Sequence, residues 1–362
     1  MKRKPVFMVF LMLTVMLISM TSCEKRNSLF EFNEGVLTIQ DQEGVNAWVV
    51  YCMQEKNKMQ AQARQIKDTM KELVIKGNVQ VIPNGAFSDC EQLERVIMTD
   101  SIEIIEARAF ENDKCLKDIH WPKSLLAIGS YAFEQTAVEK IVFPEGLIAI
   151  DIFAFRNLTC LTEVILPDSL KAMNYSFSDC PKLVQVHIGS GISYLGDYEF
   201  SECDSLRSLN VPSNIIEFWE MPLKNSGIER LTVEGKIERI VKFEITEEHY
   251  PFLRQIVFLD APPTIPREEL PSFLIDHPNV TVYILNDKLD LFTPEYMTGW
   301  GDVKIVGISS LDDVPLLFNT TCRGDRVEGT VLLTHFERVE GTVLLTHFEE
   351  RMCRGDGSVD TF

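Results

Sequence analysis

The stretch Trp121-Pro-Lys-Ser-Leu-Leu-Ala-Ile-Gly-Ser-Tyr-Ala-Phe133 constrains the chain more than any other, because its pattern returns. Phenylalanines recur at Phe87, Phe110, Phe133, Phe155, Phe177 and Phe200, at intervals of 23, 23, 22, 22 and 23 residues. The residues before them are Ala86, Ala109, Ala132, Ala154, Ser176 and Glu199. A fixed period of this length marks a solenoid, in which each repeat covers its apolar face only with its neighbours. That architecture overrides the two-domain prior that 362 residues would otherwise carry.

Within each repeat, period-two alternation marks a half-buried strand. Its inward positions run Leu73, Val96, Ile119, Ile141, Val164, Val186, Leu209, Leu231 and Ile256, with a second inward row from Ile75 and Met98 through Trp121, Phe143, Leu166, Ile188, Val211 and Val233 to Phe258. Single strands so spaced must pair in parallel with their equivalents in the next turn. Pro122, Pro144, Pro167 and Pro212, with Gly189 in the same place, end the strand, since proline cannot donate to a ladder. The pairs Ile102 and Ile105, Leu125 and Ile128, Leu147 and Ile150, and Ile192 and Leu195 then form the next side of the coil. Each repeat phenylalanine fills the interior of the return side.

The first residues set the compartment. Met1-Lys-Arg-Lys4 is cationic, Val6–Met20 is apolar, and Thr21-Ser22-Cys23 follows, which reads as a signal peptide over residues 1–22 rather than a membrane span. The small residues before Cys23 resemble a bacterial lipobox with Met20 in place of the usual leucine, which implies cleavage before Cys23 and its lipidation; ordinary secretion is the alternative. The formal charge is −19, and loss of Lys2, Arg3 and Lys4 makes it more negative. Such a chain is not expected to bind nucleic acid or anionic lipid, so the membrane contact expected is the lipid anchor alone.

Residues 23–29 read as a tether and 30–71 as an N-terminal cap. The cap has a hairpin over Phe30–Gln40 and a helix from about Ala47 to Met70, with Met59, Ala63, Ile66 and Met70 on one face. The repeats proper run over 72–260. Late rungs and a C-terminal cap occupy 261–308, including Ala261–Ile265, Thr281–Leu285 and Gly299–Val306, and Glu244–Pro251 reads as an insertion. The tail, 309–362, contains Arg326–Glu337 repeated without change at Arg338–Glu349, a recent duplication whose β-prone copies are able to pair.

The Pro-x-Ser-Leu-x-x-Ile-Gly-x-x-Ala-Phe repeats resemble the BspA-type leucine-rich repeats of bacterial surface proteins. The Tyr283, Gly299-Trp300 and Ile305 segment is similar to a cap common in lipoproteins of that group from Bacteroidetes. The resemblance covers roughly residues 30 to 307 and is weakest at Asn174-Tyr-Ser-Phe177, one residue short, and after Val211. It implies a right-handed superhelix of parallel strands joined by turns and short helices, mainly β, with non-enzymatic binding and adhesion to host proteins.

A ligand would most naturally use the outer face of the strands. The candidate face is Arg95, Asp118, Lys140, Glu163 and Gln185 in one row and Ile97, His120, Val142, Ile165 and His187 in the other. The alternating charges also serve to pair across strands. His120 and His187 lie three turns apart, roughly 14 Å at the strand spacing, too far to share a metal ion. Cys90, Cys180 and Cys203 share one position three residues after a repeat phenylalanine, which suits small buried core residues, and Cys180 with Cys203 also suits a disulfide between neighbouring turns. No catalytic grouping, cofactor motif or metal motif is present in the sequence, so no enzyme activity, cofactor or metal is expected.

Asp100-Ser-Ile102, Asp168-Ser-Leu170 and Asp204-Ser-Leu206 resemble acceptors of Bacteroidetes O-glycosylation, and two of them also follow the turn consensus. Arg323-Gly324-Asp325 and Arg354-Gly355-Asp356 resemble the integrin-recognition tripeptide. The expectation is a lipid-anchored outer-membrane protein, surface-exposed, that binds a host protein or glycan. A scaffold inside an envelope complex is the alternative.

Overall fold

A computed structural model describes residues 29–53, 58–219, 221–240, 243–261, 273–293, 303–317, 330–339, 342–353 and 359–361. The chain divides into two compact units, the first ending at Asp313 and the second running from Val314 to Phe362.

The first unit is a parallel β-solenoid. Its leading ladder has the register read from the spacing: Leu73 pairs with Val96 and Val96 with Ile119, then Ile141 with Val164 and Val164 with Val186. Beyond Ser208 it continues through Leu209, Leu231, Ile256, Val282 and Ile305. Both inward rows are buried almost throughout, with Ile119, Trp121, Val186 and Ile188 only partly covered. Gly189 stands where proline ends the other strands because a side chain there would collide with the Pro167 carbonyl.

A second ladder of two-residue strands lies one side further on. Val81–Ile82, Ile104–Ile105, Ala127–Ile128, Ala149–Ile150 and Ala172–Met173 form one sheet, and Tyr194–Leu195, Glu217–Phe218 and Arg239–Ile240 another. Their second residues, from Ile82 to Ile240, are buried in the core. On the return side the repeat phenylalanines stack in a single column. Successive ring centroids lie 5.6, 5.1, 5.3, 5.3 and 5.9 Å apart, with interplanar angles of 17° or less. All six rings are fully buried.

The cap closes this column. β1 (Phe30–Asn33) and β2 (Val36–Ile39) form the expected hairpin, and β2 pairs in parallel with β3 (Glu72–Ile75), so Leu37 and Ile39 extend both inward rows by one turn. The helical part is two helices rather than one: α1 (Gln42–Met53) begins five residues earlier than the apolar spacing implied, and α2 (Lys58–Thr69) follows. The earlier start is set by Asp41, whose carboxylate accepts the Gly44 amide at 2.9 Å in an N-cap. Trp48 on α1 stacks on Phe87 at 6.3 Å and 13°, and its indole N–H donates to the Ala86 carbonyl at 2.9 Å. An aromatic that meets Phe87 on one side and satisfies its polar edge on a turn carbonyl is a fitting end-piece.

Each return turn contains two residues in the left-handed backbone region. One stands two before the phenylalanine: Gly85, Arg108, Tyr131, Phe153, Tyr175, Tyr198 and Met221, with φ between 48° and 62°. The other stands two after it: Asp89, Asn112, Gln135, Asn157, Asp179, Glu202 and Asn225, with φ between 54° and 65°. Non-glycine residues held there cost of order 1–3 kcal/mol each. The amide column between adjacent turns offsets this: the Phe87, Phe110, Phe133, Phe155, Phe177 and Phe200 amides each donate to the turn that follows, at 2.8 to 3.1 Å.

Where the third residue after the column residue is polar or cysteine, it bonds the backbone of its own turn or of the turn before. Thr136 and Ser226 donate to the Phe133 and Leu223 carbonyls at 3.0 and 2.6 Å, while the Cys180 and Cys203 thiols reach back to the Phe155 and Phe177 carbonyls at 3.4 and 3.3 Å. Both thiols are free, so the disulfide alternative gives way to the buried-core role. Asp113 takes the position in its turn: fully buried, it accepts the Cys90 amide at 2.7 Å, and burial pushes its carboxyl well above the usual range.

The shortened turn at Met173–Phe177 is repaired from the next one. Glu199, fully buried, accepts the Ser176 amide at 3.0 Å, and the Tyr194 hydroxyl sits 3.2 Å from both the amide and the carbonyl of Met173. Those are the groups a neighbouring strand would have used, and the second ladder breaks between Ala172–Met173 and Tyr194–Leu195. Burial raises the Glu199 carboxyl from 4.5 to about 8, against the lowering effect of the Ser176 bond.

Past Val211 the irregular rungs resolve into strands. Leu223 replaces phenylalanine and is buried. The stretch read as an insertion at Glu244–Pro251 opens as a strand, Phe243–Thr246, paired in parallel with Phe273–Asp276. Thr281–Leu285 is a rung as expected, and Lys304–Ile308 adds one more beside it. Of Ala261–Ile265, all but Ala261 lies outside the described residues, as does the first half of Gly299–Val306, whose second half runs into the strand Lys304–Ile308. In the second unit, Thr330–Val339, Thr342–Cys353 and Val359–Thr361 form an antiparallel sheet, with the duplicated copies paired across His335 and His347.

Phe133→Ala, at the centre of the column, is expected to cost about 3–5 kcal/mol by the cavity it opens, readable in urea unfolding. Glu199 binds its proton more tightly folded than unfolded. Its contribution is therefore fully present below pH 4.5 and lost as pH rises through about 8. Glu199→Gln, which keeps an acceptor for Ser176, should raise the melting temperature at pH 8 relative to the wild type and leave it nearly unchanged at pH 4. Parallel thermal melts at the two pH values check this.

Candidate ligand-binding faces

The strand face is open over the regular turns. Ile97 is 38% and Val142 49% exposed, while Ile165 is half-buried. Arg95 meets Asp118 at 2.6 Å and Glu72 at 3.8 Å, and Lys140 meets Glu163 at 2.7 Å, so the row of alternating charge pairs with itself. Exposed pairs of this kind are worth at most about 1 kcal/mol each, which makes them a surface to be read rather than a support for the fold. His120 lies 3.9 Å from Asp100, and His187 lies 2.6 Å from the Gln185 amide. The two histidines do not meet, and among the described residues no cluster of three or more His, Cys, Asp or Glu is placed to hold a metal ion.

The face ends towards the C-terminus. The equivalent outward side chains Thr232, Gln255, Val257 and Tyr283 are buried, so the open surface is confined to the turns before them. Sequence alternation alone gives no sign of this, since those positions alternate as regularly as the exposed ones.

The return side carries a second feature that the sequence reading passed over. Tyr131, Phe153, Tyr175 and Tyr198, two residues before the buried phenylalanines, are half-exposed and stand in a line with centroids 5.3, 5.3 and 5.4 Å apart. Arg108 lies over Tyr131 at 4.8 Å and Arg156 over Phe153 at 5.1 Å. The signal was available: these rings keep the 22- and 23-residue period of the column beside them.

The serine hydroxyls of two of the three motifs with a resemblance to glycosylation acceptors are hydrogen-bonded. Ser101 accepts the Val79 amide at 3.1 Å, and Ser169 accepts the Gly146 amide at 2.9 Å and donates to the Leu147 carbonyl at 2.8 Å. Each hydroxyl bridges to the preceding turn, and Asn214 does the same with the Gly189 and Ile192 carbonyls. Cys23, Arg323-Gly324-Asp325 and Arg354-Gly355-Asp356 lie outside the described residues. Among those described, no helix is long and apolar enough to cross a membrane.

A parallel solenoid with a leading strand and a two-residue second strand in each regular turn, and a consensus of leucine, isoleucine and phenylalanine, defines a leucine-rich repeat protein. Residues 65–171 and 126–244 match the BspA type leucine rich repeat region, in six copies, and the chain belongs to that repeat family. Solved structures similar to it include a leucine rich cell surface protein from Faecalibacterium prausnitzii A2-165, at 23% identity over 57% of this chain and a TM-score of 0.36; this chain covers 62% of the length of that one. A leucine-rich repeat protein from Bacteroides ovatus ATCC 8483 has 19% identity over 66% of this chain and 84% of its own, with a TM-score of 0.36. The T. pallidum leucine-rich repeat protein has 22% identity over 60% and 86% respectively, with a TM-score of 0.36. No curated protein matches the chain.

Proposed function

We propose that this leucine-rich repeat protein is a non-enzymatic binding protein of the cell envelope. In this reading it is held at the outer membrane by a lipid on Cys23 and displayed at the surface, where it engages a host protein or glycan. The observation that carries the proposal is the strand face itself. It is a broad strip of short-range paired charge with Ile97 and Val142 exposed between the pairs, and it is left open by the fold only where the turns are regular. Apolar side chains set among pre-paired charges suit recognition of a macromolecule, because burying them is favourable and the neighbouring charges keep their partners. The overall charge of −19 keeps polyanions away.

Arg95→Glu, Lys140→Glu and Ile165→Asp together are expected to abolish capture of the protein by immobilised matrix proteins and mucin, with the circular dichroism spectrum unchanged. Undiminished capture by the folded triple variant would remove the strand face from the reading. Proteinase K applied to intact cells is expected to digest the protein while a periplasmic control survives. Protection of both would instead favour a scaffold within the envelope.

A further inference from the structure

The strand face is not one sheet. Its leading ladder parts between Asp118–His120 and Lys140–Val142, and again between Gln185–His187 and Ser208–Val211. The inward side chains register both gaps. Ile119 and Trp121 beside the first, and Val186 and Ile188 beside the second, are only partly covered in rows otherwise buried from Leu37 to Ile284. Ile305, on the last strand of the ladder, is partly covered in the same way. The strand before each gap is thus open to water as a terminal strand is. Surface charge respects the first gap as well. Arg95 pairs with Glu72 and Asp118, and Lys117 with Glu94, on one side; Lys140 pairs with Glu163 on the other. Among the described residues no ion pair and no ladder joins Asp118–His120 to Lys140–Val142.

The other two sides of the coil hold across that gap. Ala127 and Ile128 pair with Ala149 and Ile150 in the second ladder. On the return side the Tyr131, Phe133 and Gln135 amides donate to the Ile152, Ala154 and Arg156 carbonyls at 3.1, 2.8 and 3.1 Å, and Phe133 stacks on Phe155 at 5.3 Å and 1°. Two turns joined on two sides and parted on the third have the geometry of a hinge. The sequence supplies a wedge for it. Trp121 and Phe143 are the one place where successive turns put aromatic rings in the same inward row. The column rings lie flat on one another, but Trp121 stands at 66°, 57° and 65° to Phe133, Phe143 and Phe155, with centroids 5.1, 5.4 and 6.2 Å away. An edge-on ring takes up more of the rise between turns than a flat one, and overfilling a core moves the backbone. The second gap has aliphatic residues, Ile188 and Val211, on its two sides and no such wedge.

We infer that Trp121 wedges a hinge into the strand face, so that the turns up to His120 and those from Lys140 to His187 are two panels that swing about the intact return side. Opening widens the separation of Ile97 and Val142 and uncovers the Trp121 indole. Closing brings together Asp118 and Lys140, which hold equivalent positions in their two turns. Each panel keeps its own ion pairs, so the motion breaks none of them. The hinge rests on packing alone and does not depend on what the face binds.

Hydrogen exchange of the full chain, read by mass spectrometry, tests the hinge. Residues 139–142, beside the gap, are expected to exchange about 10-fold faster than residues 162–165 in the middle of a panel, yet about 10-fold slower than an unstructured peptide of the same sequence. Trp121→Leu supplies the aliphatic side chain that Leu166 provides in its own turn. It should slow exchange at 139–142 by about 10-fold and leave 162–165 unchanged. Should that variant unfold, Phe143→Leu relieves the same crowding from the other side and carries the same expectation. Equal exchange of the two segments in the wild type would overturn the hinge. Exchange of 139–142 at the unstructured rate, the mark of a fixed gap, would overturn it too, as would a folded variant in which 139–142 exchanges as fast as before. The wild-type comparison stands whichever variants fold.

Discussion

The stacking of one phenylalanine on the next is the interaction on which the molecule depends. A ring in the interior of six successive turns, 5.1 to 5.9 Å from its neighbours, fixes both the rise and the lateral position of the return side there. That distance is close to the separation of hydrogen-bonded strands, about 4.8 Å. The ring column and the strand ladder can therefore climb together without shear. The left-handed residues on either side of each ring follow from the same demand, because the chain must enter and leave the interior within a few residues. Burial of large apolar area in a continuous column outweighs their local strain.

Much of this was legible in the sequence, and the reason is positional. A period of 22 or 23 places chemically similar side chains in similar surroundings, so the registers that join Leu73 to Ile119, Ile141 to Val186 and Leu209 to Ile256 could be read from the spacing. What escaped was whatever the period does not encode. The early start of the first cap helix turns on the side chain of Asp41, a single local hydrogen bond that hydrophobic spacing does not report. The left-handed positions escaped because their occupants are tyrosine, arginine and methionine rather than glycine. The covered face near Val257 escaped because its outward residues follow the same alternation as the exposed ones. The irregular turn at Asn174 was visible as a missing residue, yet its remedy, a carboxyl and a phenol from the following turn, was not.

The two candidate surfaces differ in physical character. The strand face is built from side chains that alternate with the core, so its composition is free to vary without touching the interior, and its charges cancel along the ladder. The return face is built from residues whose backbone is already constrained, and Phe153 and Tyr175 on it have ring contacts on both sides. One surface is open to rapid change, the other is tied to the scaffold.

Most turns of such a coil are interchangeable units, since each meets its neighbours through the same contacts. The turns ending in Phe177 and Phe200 are not, nor are those ending in Phe87 and Phe110, where the buried Asp113 carboxylate serves the Cys90 amide. Glu199 and Tyr194 satisfy backbone groups that belong to the turn before them, so either turn moved alone would strand a buried carboxyl or an unpaired amide. Unequal recombination, by which repeat arrays lengthen and shorten, must carry each such pair of turns as a doublet. The array therefore contains units of inheritance twice as long as its structural period.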